Sequence, residues 1–226
     1  MELKVIAKIH SCFPTKFGIP RQSGLADSLP AEIVFEPEYR SPEAVRGLED
    51  YSHIWLIWLF SEAVRDTWSP TVRPPRLGGN VRMGVFATRS PFRPNELGLS
   101  SVQLDRIEYT KDRGPVLHVL GADLMDGTPI FDIKPYLPFV DSHPDARGGF
   151  ADHRKDYSLK VQCSEDLLSQ LPKDLREGLI QSLSQDPRPG YQRDSDRIYG
   201  FKYGGFEVRF RVSENTLEVV DISSCV

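Results

Sequence analysis

The chain has 226 residues, of which 39% are hydrophobic and 27% are charged, and its formal net charge is −4. This composition is typical of a soluble globular protein and excludes a disordered chain. The longest apolar run, at residues 54–60, is far shorter than the ~20 residues of a membrane-spanning helix, so we expect no membrane association. Three widely spaced cysteines predict reduced thiols in a cytoplasmic protein.

The first 140 residues predict mostly strands. Alternating apolar residues predict strands at 3–9 and 31–35, on either side of an irregular segment at 11–29. Ser41, Pro42 and Glu43 predict the start of a short helix that ends near residue 48. Residues 53–60 are apolar on both faces and predict a buried strand, and further strands are expected at 83–87, 100–109, 115–120 and 129–133. Short strands with almost no helix predict a sandwich or a closed barrel.

A change of composition separates a second unit. Residues 138–156 are rich in charged residues, proline and glycine, and we place a linker at 141–154 between domains at 1–140 and 155–226. A strand at 157–163 and leucines at helical spacing over 164–183, interrupted at Pro172, follow the linker. Strands at 198–203, 206–212 and 216–222 complete a small α+β domain.

Positive charge is concentrated in one segment of this acidic chain. Residues 65–93 contain a single acid, Asp66, and six arginines: Arg65, Arg73, Arg76, Arg82, Arg89 and Arg93. The planar guanidinium group suits phosphates, carboxylates and base edges. The alternative interpretation is a charged loop in water.

Several common chemistries have no motif in this chain. A glycine-rich loop of the dinucleotide-binding or usual methyltransferase type is missing, and so is a phosphate-binding loop with its lysine. The five histidines lack the spacing of a metal site, so we predict no metal.

Three irregular stretches carry polar groups that suit ligand binding. The first is PRQSGL at 20–25, and the second is TRSPFRPNELGLS at 88–100, in which Pro91 and Pro94 restrict the backbone that presents two arginines. The third, at 123–136, includes Asp126-Gly127, a hairpin-turn signal. Asp132 and Lys134 share one face of the following strand, where a simple ion pair is the alternative to a functional role.

These stretches, with RPPRLGGN at 73–80, resemble the TrmO family of tRNA threonylcarbamoyladenosine N6-methyltransferases. The resemblance runs from about residue 3 to about residue 140, and DPRPGY at 186–191 and residues 206–212 resemble the family's smaller second domain. It implies a mainly β protein with an N-terminal closed β-barrel, a smaller C-terminal α+β domain and a homodimeric state. The implied reaction transfers a methyl group from S-adenosylmethionine to N6 of threonylcarbamoyladenosine, next to the anticodon at position 37 of tRNA.

The resemblance also implies roles for individual residues. Asp126, Lys134 and Tyr136 are the candidates for catalysis on the acceptor side. Arg89 is expected to meet the carboxylate of the cofactor, and Asp123 or Asp126 its ammonium group. The expected cofactor-binding residues are Gln22, Ser23, Gly24, Leu25, Ser61, Glu62, Arg89, Leu99, Asp123, Leu124, Met125 and Asp126. The expected RNA-binding residues are Arg73, Arg76, Arg82, Arg93 and Arg188, and Arg209 and Arg211 extend them.

Two alternatives remain open at the level of sequence. One is a methyltransferase of the same fold that acts on another nucleotide or a small substrate. The other is a non-catalytic module of this fold that binds S-adenosylmethionine or RNA for regulation. The ionisable groups at 126–136 favour an enzyme, because binding alone rarely needs so many of them around one turn.

Overall fold

The computed structural model describes residues 2–74, 77, 80–154, 157–188 and 194–225. Its larger part is a closed antiparallel barrel, in the order β1-β2-β7-β6-β3-β8. The barrel strands are β1 (Ala7–Ser11), β2 (Pro30–Phe35), β3 (His53–Leu59), β6 (Leu97–Thr110), β7 (Gly114–Leu120) and β8 (Pro129–Pro135). A separate two-stranded ribbon joins β4 (Thr71–Val72) to β5 (Met83–Gly84). The predicted closed barrel is confirmed.

Alternation along the strands fills the barrel interior. Because successive side chains of a strand point to opposite faces, every second residue enters the core. Ile9, Ile33, Leu56, Leu117 and Ile130 are all fully buried in this one cluster. Gly98 lies so close to the Trp58 ring that a Cβ atom built on it would come within 2.2 Å of the ring, so the absence of a side chain at Gly98 makes room for the indole.

Several predicted element boundaries are wrong. The first strand begins at Ala7 rather than at residue 3, and the predicted strand at 83–87 is only Met83–Gly84 followed by a 3-10 turn, Val85–Ala87. The predicted helix at 41–48 is instead a pair of 3-10 turns, Pro42–Val45 and Leu48–Asp50. Gly47 lies between them at φ 83°, a left-handed conformation that cannot continue a helix.

The second unit is a small α+β domain, as predicted. Its sheet has the order β10-β11-β12-β9, with β9 parallel to β12 and the other pairs antiparallel. In the chain, the short α1 (Pro138–Asp141) follows the last barrel strand and precedes the elements of this unit. The remaining elements are β9 (Lys160–Gln162), α2 (Glu165–Leu168), α3 (Lys173–Ser184), β10 (Tyr199–Tyr203), β11 (Phe206–Ser213) and β12 (Thr216–Ser224).

The two units share one chain segment. Residues 12–29, which connect β1 to β2 of the barrel, contribute Phe13, Ala26 and Leu29 to the buried core of the second unit. The Phe13 ring packs edge-on against Tyr203, and the Phe17 ring against Phe201. The loop of one unit is therefore part of the core of the other.

The barrel has two distinct ends. The Asp123 end carries the loops at 12–29, 60–96 and 121–128, which leave or enter the strands at Ser11, Leu59, Leu97, Leu120 and Pro129. The Tyr136 end carries the start of β3, the end of β8 and α1. No helix within the described ranges has the length and apolar character needed to cross a bilayer.

Candidate functional site

The predicted cofactor residues come from the three loops of the Asp123 end and from the beginning of β6. Residues 22–25 lie in the first loop, Ser61, Glu62 and Arg89 in the second, and 123–126 in the third. The third loop is not the hairpin that Asp126-Gly127 predicted, because β7 and β8 are not neighbours in the barrel. Gly127 does take a positive φ of 77°, but the loop crosses the barrel end. This crossing places 123–126 beside the other two loops.

Hydrogen bonds join the three loops to one another. The guanidinium group of Arg89 donates to the Gln22 side-chain oxygen, which links the second loop to the first. Lys16 Nζ donates to the Glu62 backbone oxygen at 2.7 Å, a second link between the same loops. The Gly24 N–H donates to the Gly121 oxygen at 2.9 Å and joins the first loop to the third.

Asp123 lies at the centre of this arrangement. Burial raises the pKa of its carboxyl group, and hydrogen bonds from Ser100 and from the backbone, including that of Ser23, together with the Arg89 charge, oppose the rise. Ser100 Oγ donates to Asp123 Oδ1 at 2.6 Å and accepts the Trp58 indole N–H at 3.0 Å. Because the indole can only donate, the single Ser100 hydroxyl proton points at the carboxylate.

Trp58 and Ser100 were not predicted as site residues. A signal for Ser100 exists in the sequence, since it is a hydroxyl residue on the face of β6 that Val102 and Leu104 share inside the barrel. A buried hydroxyl needs a hydrogen-bond partner. The identity of that partner depends on the barrel closure, which no local pattern records.

Asp126 lies at the edge of the same end. Its N–H donates to the Phe13 oxygen at 2.8 Å, and its Oδ1 accepts the Ser11 N–H at 3.2 Å. His10 Nδ1 lies 3.3 Å from the same oxygen. The carboxylate is 44% exposed, so it is held in place while remaining open to a ligand.

Lys134 and Tyr136, grouped with Asp126 in the sequence, lie at the Tyr136 end. The length of β8 from Pro129 to Pro135 separates them from Asp126, roughly 20 Å at the rise of a strand. Lys134 pairs with Asp132 at 3.0 Å, and Tyr136 packs on Trp55 with ring centroids 5.5 Å apart. One chain therefore does not bring the three predicted catalytic residues together.

The remaining predicted cofactor residues differ in exposure. Leu25 and Leu99 are exposed at 37% and 56%, so their side chains are available at the surface. Leu124 is buried in the barrel core, and its backbone oxygen accepts the Ser11 hydroxyl at 2.8 Å. Met125 is partly buried, and Ser61 begins the 3-10 turn Ser61–Ala63 immediately after Phe60.

The predicted RNA-binding arginines fall into different environments. Arg73 and Arg82 are exposed, whereas Arg76 lies outside the described residues. Arg93 is partly engaged, because it donates to the Thr88 oxygen at 2.8 Å. Arg188 forms two hydrogen bonds with Asp186, of 2.8 and 3.0 Å, and its side chain is only 12% exposed, which weakens the prediction of a phosphate contact there. Both residues of the further pair are also bound to acids, Arg209 to Glu207 and Arg211 to Glu218.

Two exposed aromatic rings stand among the arginines of the second loop. Trp68 is 51% exposed and Phe86 is 70% exposed, and their ring centroids lie 6.1 Å apart. The Arg93 guanidinium lies 5.8 Å from the Phe86 ring, and that of Arg65 lies 3.6 Å above Phe92. The arginines of this surface were predicted from the sequence, whereas its aromatic residues were not.

Two other features lie outside this arrangement. A cavity of about 690 Å³ opens at the Tyr136 end, lined by Phe35, Tyr39, Arg46 and Asp132 among others, and it touches none of the predicted cofactor residues. Within the described parts of the chain, no three His, Cys, Asp or Glu side chains form a group that could hold a metal ion.

Comparisons with known proteins bear on both units. The family model of the tRNA-methyltransferase O N-terminal domain matches residues 8–142, and that of the TrmO C-terminal domain matches residues 156–225. A protein of Escherichia coli named tRNA (adenine(37)-N6)-methyltransferase is 41% identical over 96% of both chains. A protein of the same name from Eikenella corrodens is 50% identical over 73% of this chain and 92% of its own.

A solved structure agrees with the sequence matches. The crystal structure of TrmO from Pseudomonas aeruginosa superimposes with a TM-score of 0.80 at 35% identity and covers 99% of this chain and 97% of its own. The fold and these matches define the class of the protein as the β-barrel tRNA methyltransferases. Within that class, the chain belongs to the TrmO family.

Proposed function

We propose that this protein transfers the methyl group of S-adenosylmethionine to N6 of threonylcarbamoyladenosine at position 37 of tRNA. The observation that carries the proposal is the match of both family models, together with relatives named for methylation of adenine 37 at N6. The proposal that the acceptor base carries a threonylcarbamoyl group rests on the resemblance of the motifs at 20–25, 88–100 and 126–136 to the TrmO family. We also propose that the protein acts on tRNA in the cytoplasm.

The Asp123 end suits the zwitterionic methionine part of the cofactor. The Asp123 carboxylate is close enough to the Arg89 guanidinium group for the arginine charge to act on it, and the two groups complement an ammonium group and a carboxylate respectively. We assign Asp123 to the ammonium group and Arg89 to the carboxylate, with residues 22–25, 61–62, 99 and 124–126 around them. The bound cofactor supplies an electrophilic methyl group on its sulfonium. The protein must align the acceptor with that methyl group and exclude water, which can contribute roughly 7–11 kcal/mol.

Asp126 is the residue that we assign to the acceptor side. The N6 nitrogen of the acceptor is ureido-like and a weak nucleophile, because a carbonyl shares its lone pair. A carboxylate that accepts the N–H hydrogen bond helps to remove the proton. Asp126 is held by Ser11 and is open to solvent, as this role requires. Lys134 and Tyr136 could contribute only from a second copy of the chain, so their proposed role depends on the proposed homodimer.

The arginines of the second loop fit the RNA. Arg73, Arg82 and Arg93, with Arg76, would meet backbone phosphates or the threonyl carboxylate. Arginine forks bind both groups by paired hydrogen bonds. The single acid among residues 65–93 leaves this part of an acidic chain positive. Arg188 takes part in this set only if its pair with Asp186 opens.

The test incubates the full-length protein with methyl-labelled S-adenosylmethionine and two pools of total tRNA. One pool carries threonylcarbamoyladenosine, and the other comes from cells that lack this modification. We expect label only in the first pool. Equal label in both pools would keep the methyltransferase activity and reject the acceptor. No label in either pool, with cofactor binding intact, would reject the enzyme in favour of a binding module.

A further inference from the structure

The loop at 12–29 carries four of the proposed cofactor residues, and its apolar anchoring contacts belong to the second domain. Its apolar side chains lie in the core formed by α3 and the β10–β12 sheet, where Phe13, Ala26 and Leu29 are at most 2% exposed. Phe17 and Ile19 pack against the same core. The apolar side of the loop is therefore part of the second domain's core, although the loop begins and ends in barrel strands.

Polar contacts fix the loop on both sides of residues 22–25. Before them, the Ser182 hydroxyl donates to the Gly18 oxygen at 2.6 Å, and the Arg21 guanidinium donates to the Asp186 oxygen at 3.4 Å. After them, Gln181 accepts the Ser28 N–H at 2.9 Å and donates to Asp27 Oδ1 at 2.8 Å.

Close packing between α3 and the loop leaves no room for movement toward the helix. A Cβ atom built on Gly178 would lie 3.1 Å from the Ser28 oxygen and 2.9 Å from a methyl group of Leu29. At the other end of the loop, the Gly204 N–H of the β10–β11 turn donates to the Cys12 oxygen at 2.8 Å. The second domain thus contacts the loop at its beginning, middle and end, while the barrel unit binds it through Phe13, Lys16 and Leu29.

Residues 22–25 themselves face the barrel. The Gln22 side-chain oxygen accepts a hydrogen bond from Arg89, and the Ser23 backbone N–H donates one to the Asp123 carboxylate. The Gly24 N–H donates to the Gly121 oxygen. From this division of contacts, we infer that the second domain positions the cofactor loop, with Ser182 and Gln181 on α3 as positioning residues. This inference rests on the proposed function. It gives the second domain a part in cofactor binding that does not require it to touch the cofactor.

The contacts with α3 should raise the fraction of molecules in which the loop has the conformation that binds the cofactor. The apparent dissociation constant of a ligand equals its intrinsic dissociation constant divided by the fraction of molecules in the binding-competent conformation. Removing the hydrogen bonds of Ser182 and Gln181 frees the loop while the aromatic core stays intact. The affinity for S-adenosylmethionine should then fall without loss of the fold.

The experiment compares two double variants of the full chain. Ser182→Ala with Gln181→Ala removes the bonds to Gly18, Asp27 and Ser28. Ser184→Ala with Gln185→Ala is the matched control on the same helix, because among the described residues those side chains bond within the helix and its C-terminal cap. Calorimetry measures the dissociation constant for S-adenosylmethionine, and amide exchange measures the opening of residues 18–25.

For the first double variant we expect a dissociation constant raised roughly ten-fold and faster exchange at 18–25. The control should keep wild-type values for both. A purely structural role for α3 would lower the thermal midpoint but leave the affinity unchanged, and that result would overturn the inference. Gly178→Ala, which pushes the loop away sterically, should repeat the loss of affinity. If the wild-type protein bound no S-adenosylmethionine, the proposed function would fail first, and this inference with it.

Discussion

The environment of Asp123 shows how a barrel core can tune a single carboxylate. Trp58 donates to Ser100, and Ser100 donates to Asp123, while burial raises the pKa of the carboxyl group. The raised pKa determines how the free energy of unfolding depends on pH. Since the folded pKa is raised, the stability contribution of this group is present at low pH and is lost as the pH rises through the folded pKa. A positively charged ligand group beside Asp123 would oppose this rise in pKa, because it would stabilise the ionised carboxylate.

We predict that cofactor affinity falls as the pH falls through the Asp123 pKa, because a protonated carboxyl group cannot pair with an ammonium group. Calorimetry from about pH 5 to about pH 8 measures the dissociation constant across this range. Asp123→Asn should bind weakly and lose this pH dependence. Asp132→Asn, an exposed acid at the Tyr136 end, is the control and should match the wild type. The assignment would be abandoned if Asp123→Asn kept the wild-type pH profile.

At the scale of elements, the loop at 60–96 combines arginines with exposed aromatic rings. Trp68 and Phe86 lie close together, and Arg93 lies over Phe86. Single-stranded RNA is commonly bound by aromatic rings that stack on splayed bases and by cations that meet phosphates. An anticodon loop offers both groups.

We predict that Phe86→Ala weakens binding of an anticodon stem–loop by roughly 1–3 kcal/mol, the value of one stacked base. The salt dependence of binding should not change, since stacking neutralises no phosphate. Arg82→Ala should instead reduce the log–log salt slope by about one. Filter binding over a salt series measures both quantities.

Phe139→Ala removes a ring that is 83% exposed at the Tyr136 end, and it serves as the control. Sedimentation of each variant tests the alternative that a second copy of the chain, rather than RNA, covers the surface around Trp68 and Phe86. If Phe86→Ala bound RNA normally but dissociated a dimer, the stacking assignment would be wrong.

At the scale of the whole molecule, the shared loop makes the two units interdependent. All three tryptophans, Trp55, Trp58 and Trp68, lie in the barrel unit, so their fluorescence reports on that unit alone. Leu217 is fully buried in the second core, into which the 12–29 loop is packed. Loss of the second core should therefore release a connection between two barrel strands.

We predict that Leu217→Ala, which should cost about 2–5 kcal/mol, shifts the tryptophan-detected unfolding midpoint to lower denaturant. The shift should coincide with that seen by circular dichroism, as expected for one cooperative transition. Ser223→Ala, an exposed position on the same strand, should leave the midpoint unchanged. Two separate transitions, with the tryptophan signal unaffected by Leu217→Ala, would show that the units unfold independently.

The amino-acid sequence was sufficient to predict the strands of the barrel, the α+β character of the second unit and the residues of the arginine loop. These features follow from local alternation, helical spacing and the chemistry of short motifs. The motif resemblance also identified the family, because long motifs retain their residues in order. Trp58 and Ser100 were missed, since their hydrogen bonds to each other and to Asp123 join positions far apart in the chain.

The spatial grouping of the motifs, in contrast, follows from the three-dimensional fold. Barrel closure separates β7 from β8, so Asp123–Asp126 crosses the barrel end instead of forming a hairpin. The same closure puts Lys134 and Tyr136 at the opposite end from Asp126, although they are close in sequence. The division of the chain near residue 140 likewise does not reveal that residues 12–29 pack into the second core. The physical reason is that strand pairing and core packing are non-local: a pattern specifies which face of a segment is buried, but not which segment covers it.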